Sequence, residues 1–128
     1  MKRFLIVLAV LGSMAGPGFA SSFLGTWQTP LDAKQTTGYV QIVPCGASLC
    51  GTVISAFDKA GKPIVTPSVG KRVLWDVMDD GTSGNGRVYV PTLRAEFPVV
   101  LTAHGNTLIL KACSGLGVCK TQVWNRVR

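Results

Sequence analysis

Four cysteines are the most reactive groups in this 128-residue chain, and they fall as two local pairs: Cys45-Gly-Ala-Ser-Leu-Cys50 and Cys113-Ser-Gly-Leu-Gly-Val-Cys119. Each pair straddles a turn between two β-like runs. Two chemistries suit them. Four thiolates can make a tetrahedral zinc site, but one spacing exceeds the usual Cys-x2–4-Cys of zinc knuckles, and the leader described below favours oxidation. Local bridges Cys45–Cys50 and Cys113–Cys119 are the preferred of three pairings. Such short loops remove little chain entropy, so each bridge is worth about 2 kcal/mol or less and acts mainly to stiffen a hairpin tip.

The remaining groups offer little for catalysis. The single histidine, His104, stands beside Gly105 in a turn signal, where a solvated side chain is the simpler reading than a general base. The six acids are Asp32, Asp58, Asp76, Asp79, Asp80 and Glu96. Most sit in loops, without the paired strand positions that would hold two carboxylates together. Asp76-Val-Met-Asp79-Asp80-Gly81 misses the alternate-position spacing of a calcium loop. Nucleophile-elbow, phosphate-loop and histidine-rich metal motifs are absent from the sequence. The sequence therefore reads as a binding protein and not an enzyme, with no catalytic residues, no metal and no cofactor.

The elements that must position these groups begin with a leader. Lys2 and Arg3 precede an apolar run from Phe4 to Ala15, Gly16-Pro17 interrupts it, and Gly18-Phe19-Ala20 supplies small residues for cleavage after Ala20. The order is that of a secretory signal peptide, and the run is too short for a transmembrane anchor. Residues 1–20 are thus expected to be removed, leaving one domain, 21–128, in the bacterial periplasm or outside the cell. That domain keeps eleven basic against six acidic residues, a balance of +5. The charges are scattered and do not form a block. Nucleic acid is not expected as a partner in that compartment, whereas an anionic envelope surface or acidic ligand is open to it through the long-range field.

From Ser21 onward short β-branched and aromatic runs recur between Gly, Pro, Asn and Asp clusters, with no helical repeat. They predict about eight strands: 24–28, 38–43, 49–57, 72–78, 87–90, 93–102, 107–113 and 118–127. Leu93, Ala95, Phe97, Val99 and Leu101 share one face, as Val73, Trp75 and Val77 should share another. Pro98 predicts a bulge or an edge. Short turn signals between successive runs predict an up-and-down meander. Such strands must bury one face and hide their edges, which a closed antiparallel β-barrel does and an open sandwich does less completely. Closure would fall between the Gly25-Thr26-Trp27 and Trp124-Asn125-Arg126 strands. There Arg126 could cover the ring of Trp27 in a cation–π contact worth roughly 0.5–2 kcal/mol, although both tryptophans would serve equally as ordinary core residues.

Several stretches together carry a family resemblance. They are Gly25-Thr26-Trp27-Gln28-Thr29-Pro30, Pro44-Cys45-Gly46 with Leu49-Cys50-Gly51, Gly86-Arg87-Val88-Tyr89-Val90-Pro91, and Cys119 to Arg126. The chain resembles the Domain of Unknown Function 2147 family of exported bacterial proteins over nearly all of residues 21–128. It departs from the family pattern at Asn85-Gly86 and at Arg94-Ala95-Glu96-Phe97. The resemblance implies a lipocalin-like barrel with a ligand cavity and brings no catalytic residues with it. The expected function is that of a carrier or sensor of a small hydrophobic or amphipathic ligand, in a cavity lined by Trp75, Val77, Tyr89, Phe97 and Leu110. A barrel of about eight strands can also be filled by its own side chains. The competing role is a protein-binding module that uses the loops 58–71 and 79–86.

Overall fold

A computed structural model describes residues 21–127; the leader expected over residues 1–20 lies outside them. Eight strands follow one another: β1 (Gly25–Gln28), β2 (Thr37–Cys45), β3 (Ser48–Phe57), β4 (Arg72–Asp79), β5 (Gly84–Val90), β6 (Ala95–His104), β7 (Thr107–Cys113) and β8 (Cys119–Arg126). Each pairs antiparallel with its neighbour in sequence, and β1 pairs with β8 to close an all-β barrel. The closing seam is short, with Trp27 opposite Arg126 and Gln28 opposite Asn125.

The alternating residues of each strand explain which face goes inward. Trp27, Val40, Ile42, Leu74, Val99, Leu101, Leu108, Leu110 and Trp124 are buried in one continuous core, while Gln41, Val100, Lys111 and Thr121 lie exposed between them. Four register shifts bend the sheet enough to close it: at Tyr39/Val40, at Leu49/Gly51, at Gly51/Thr52, and between Trp75 and Met78.

Of the bulge or edge expected at Pro98, the structure has the edge: Pro98 sits in unbroken register opposite Arg87 on β5, but the ladder to β7 begins only at Val99, so the missing N–H costs no bond on that side. The start of β6 needs correction. Residues 91–94 form a turn closed by Leu93 and Arg94 N–H groups donating to the Val90 and Pro91 carbonyls, so β6 starts at Ala95 and not at Leu93.

Antiparallel succession divides the loops between two ends. The segment 21–24, the turns 46–47, 80–83 and 105–106, and the end of β8 lie at one end, near Trp27. Loops 29–36, 58–71, 91–94 and 114–118 lie at the other. Loops 58–71 and 79–86, expected to form one interface, therefore stand at opposite ends, and the second is only a four-residue turn because β5 begins at Gly84. Disulfides join Cys45 to Cys50 at the first end and Cys113 to Cys119 at the second.

Candidate functional site

The first end is a floor. Trp27 is wholly buried, and its Nε1–H donates to the Phe23 carbonyl at 2.9 Å. Phe23 is itself buried and turned over the barrel end, where Gly84 leaves it space: a Cβ there would stand 2.5 Å from the Phe23 ring. The Arg126 guanidinium lies 4.2 Å from the Trp27 ring centroid. Its Nη1 donates to the Leu24 carbonyl at 2.9 Å and its Nη2 to the Ser22 carbonyl at 3.2 Å. Gly25, at φ 127°, opens the gap that Nη1 fills, since a Cβ would meet that nitrogen at 2.7 Å. Ser21 Oγ donates to Asp79 Oδ2 at 2.6 Å and ties the entering segment to the β4–β5 turn. This end is sealed by the buried Phe23 and Trp27 rings and by the Arg126 guanidinium, which is held to Trp27 and to two carbonyls.

The second end is a mouth. Residues directly opposite each other in an antiparallel pair share a face, so the inward side can be followed across β6, β7 and β8. Val99 faces Ala112, Leu108 faces Trp124, Leu110 faces Gln122 and Ala112 faces Lys120. Along β8 burial then falls from Trp124 at 4% to the exposed Gln122 and Lys120, all on the inward face. The Trp124 Nε1–H donates to Gln122 Oε1 at 2.9 Å, which fixes that amide beside the indole. Opposite them β5 and β6 present Val88 with Phe97 and Val90 with Ala95. Phe97, Val90 and Ala112 pack only partly against the core. The mouth thus has an apolar wall on β5–β7 and a polar, cationic wall on β8.

The five residues expected to line a cavity do not all meet. Val77, Phe97 and Leu110 face inward, Val77 wholly buried and Leu110 nearly so, with Phe97 nearest the mouth. Trp75 and Tyr89 face outward. Leu74 pairs inward with Val88, so Trp75, opposite Arg87, must lie outside. Asp76, at φ 54°, is the extra residue of a bulge that returns Val77 to the inside. Alternation read straight through this strand missed the bulge. Tyr89 joins Val73, Pro67, Ser68, Lys71 and Pro91 around a shallow outer depression of about 140 Å³.

Gln122 and Lys120 escaped the sequence reading, although stepping back by twos from Trp124 would have found them. A larger open depression, about 450 Å³, lies on the outer face beside β1–β3. Its base holds Tyr39 and Phe57, whose ring centroids are 4.7 Å apart.

Ionised groups are arranged for structure. Partial burial pushes the Asp32 carboxyl up, but the N–H and hydroxyl of Thr36, with the N–H and charge of Lys34, outweigh it and hold its pKa below the usual value. Hydrogen bonds from Ser83 and Thr82 likewise lower Asp80. Arg87 and Glu96 pair across β5 and β6 at 3.1 Å on the outer face. Among the described residues no three His, Cys, Asp or Glu side chains cluster as metal ligands would.

An eight-stranded antiparallel barrel wound in sequence order and plugged at one end is lipocalin-like. The chain belongs to the DUF2147 family, described as an uncharacterized protein conserved in bacteria, whose family model matches residues 25–126. Among solved structures it is similar to protein HP1028 from the human pathogen Helicobacter pylori, which is described as belonging to the lipocalin family. The two share 18% sequence identity over 85% of each chain, with a TM-score of 0.67, a likeness of fold alone. No curated protein matches the chain.

Proposed function

We propose that this is an exported, non-catalytic binding protein of the bacterial envelope that takes a small amphipathic ligand, apolar part first, into the mouth of its barrel. The observation that carries this reading is the gradient along one inward face: Trp124 is buried and Gln122 and Lys120 are exposed, with the half-covered Ala112 paired to Lys120 and the half-covered Phe97 on the same inward side of β6. Inward residues of β8 thus remain in water at this end, whereas the floor is filled by Trp27, Leu101 and Leu108 at 0% exposure. The ligand must accordingly be short. Its apolar part would lie against Phe97 and Val90, and the Lys120 ammonium favours a carboxylate, sulfonate or phosphate at the rim. Two disulfides favour an oxidising compartment, and among the described residues no helix is long and apolar enough to cross a membrane.

Native mass spectrometry of protein purified from its own envelope is expected to show a small molecule retained by the folded barrel. In solution, anilinonaphthalene sulfonate should bind, gain fluorescence and be displaced by dodecanoate. Lys120→Glu should weaken the sulfonated probe about tenfold by reversing one rim charge. A barrel that carries nothing from the envelope and gives no probe fluorescence refutes the proposal.

A further inference from the structure

Every loop at the mouth end carries an exposed aliphatic side chain at or near its tip. Leu31 stands out of loop 29–36 and Leu93 out of 91–94, while Val65 in 58–71 and Leu116 in 114–118 are 98% and 93% exposed. Turns at the floor end are built instead from Gly46-Ala47, Asp80-Gly81-Thr82-Ser83 and Gly105-Asn106.

Charge follows the same division. Lys34 accompanies Leu31, and Lys59, Lys62, Lys71 and Arg72 flank Val65. Arg94 follows Leu93, and Lys120 follows the Leu116 loop. The acids at this end are Asp32, Asp58 and Glu96; Glu96 is paired with Arg87 on the outer face, and both aspartates are turned back onto their own loops. Asp32 accepts the Lys34 and Thr36 N–H groups, and Asp58 accepts those of Ala60 and Lys62. At the floor end Asp79 closes β4 and Asp80 opens the turn to β5, and Arg126 is folded over Trp27. The molecule is therefore polarised along its barrel axis.

These tips are also held in place. The Cys113–Cys119 bridge closes the loop bearing Leu116, and Ser114 Oγ accepts the Leu116 and Val118 N–H groups at 3.2 and 3.3 Å. A leucine kept in water by a cross-linked turn has already lost the chain freedom that docking would cost.

We propose that the mouth end is a docking surface for a bilayer leaflet rich in anionic phospholipid, with the loop tips inserted at the headgroup boundary and the lysines and arginines against the phosphates. Several scattered cations around apolar tips match a diffuse negative plane with an apolar interior better than they match one acidic protein patch. The docking does not depend on whether the mouth holds a ligand, although it would place that opening against the membrane.

The test is sedimentation of the disulfide-intact protein with vesicles. Vesicles of phosphatidylcholine containing phosphatidylglycerol should pull it down, and pure phosphatidylcholine should not. Val65→Asp and Leu116→Asp should each lower partitioning about tenfold with unchanged melting temperature, since neither side chain is packed. Lys59→Ser with Lys62→Ser should lower it by a further order of magnitude or so and flatten its dependence on salt. Thr82→Asp, at the floor end, should change nothing. Equal binding to both vesicle types, binding indifferent to Val65 and Leu116, or retention only by lipopolysaccharide or by a protein partner overturns the proposal.

Discussion

Replacing Arg126 with alanine removes three interactions at the floor. The guanidinium leaves the Trp27 face it covers at 4.2 Å, the Leu24 carbonyl loses a partly buried donor at 2.9 Å, and the Ser22 carbonyl loses an exposed one at 3.2 Å. A cation–π contact is worth roughly 0.5–2 kcal/mol, and a hydrogen bond to a charged donor about 1.5–3 when water is excluded. Arg126 is only half-buried, so the lower part of each range applies and the Ser22 bond adds little. The expected loss is about 2–3 kcal/mol, or roughly a 10 °C fall in melting temperature for a domain near 100 residues. Near-ultraviolet circular dichroism, which sees the buried tryptophans, is the suitable readout. Lysine should recover less than half, because an ammonium cannot stack flat on the indole while donating to two carbonyls. Probe binding at the mouth should survive both changes. If Arg126→Ala melts with the native protein, the floor is not held by this residue, and the account of barrel closure given above is wrong.

Two glycines test the same plug from the other side. Gly84→Ala should cost about 1–3 kcal/mol by displacing the Phe23 ring. Gly25→Ala should cost a similar amount, through strain at φ 127° and a clash with Arg126, and an unchanged denaturation midpoint for either would contradict the packing described. For loop 29–36 the folded Asp32 carboxyl lies below the ordinary aspartate value of 3.8, so the stability it contributes is whole above that pH and fades as pH falls through the lower folded value. Amide resonances of Lys34 and Thr36 should therefore shift together below pH 3.8, and a midpoint at or above it would show that those hydrogen bonds are not formed in solution.

Much of this molecule is written locally. The period of two in β6 and β7, with glycine, proline and asparagine between runs, specifies antiparallel strands joined in order. Two cysteine pairs, each placed across a hairpin turn, need no long-range information to find each other, and the bridges Cys45–Cys50 and Cys113–Cys119 are present. The likeness of Gly25 to Pro30 and of Cys119 to Arg126 to a known family pointed to a closed barrel, and the structure is one.

What tertiary structure decided are the places where one residue too many enters a strand and the places where the ends of strands differ. A bulge at Asp76 reverses every side chain beyond it, so Trp75 and Val77, two apart, lie on opposite faces. No local pattern demanded that bulge; it arises where β4 must bend to stay in register with both neighbours as the sheet closes. The mouth is similarly a property of the whole barrel. Lys120 and Gln122 share the inward face of Trp124, yet they remain in water because they lie beyond β8's short pairing with β1, which joins only Arg126 and Asn125 to Trp27 and Gln28. Alternation tells which way a side chain points. Whether anything stands there to meet it depends on how far the first and last strands overlap, a distance set by closure and written in neither strand alone.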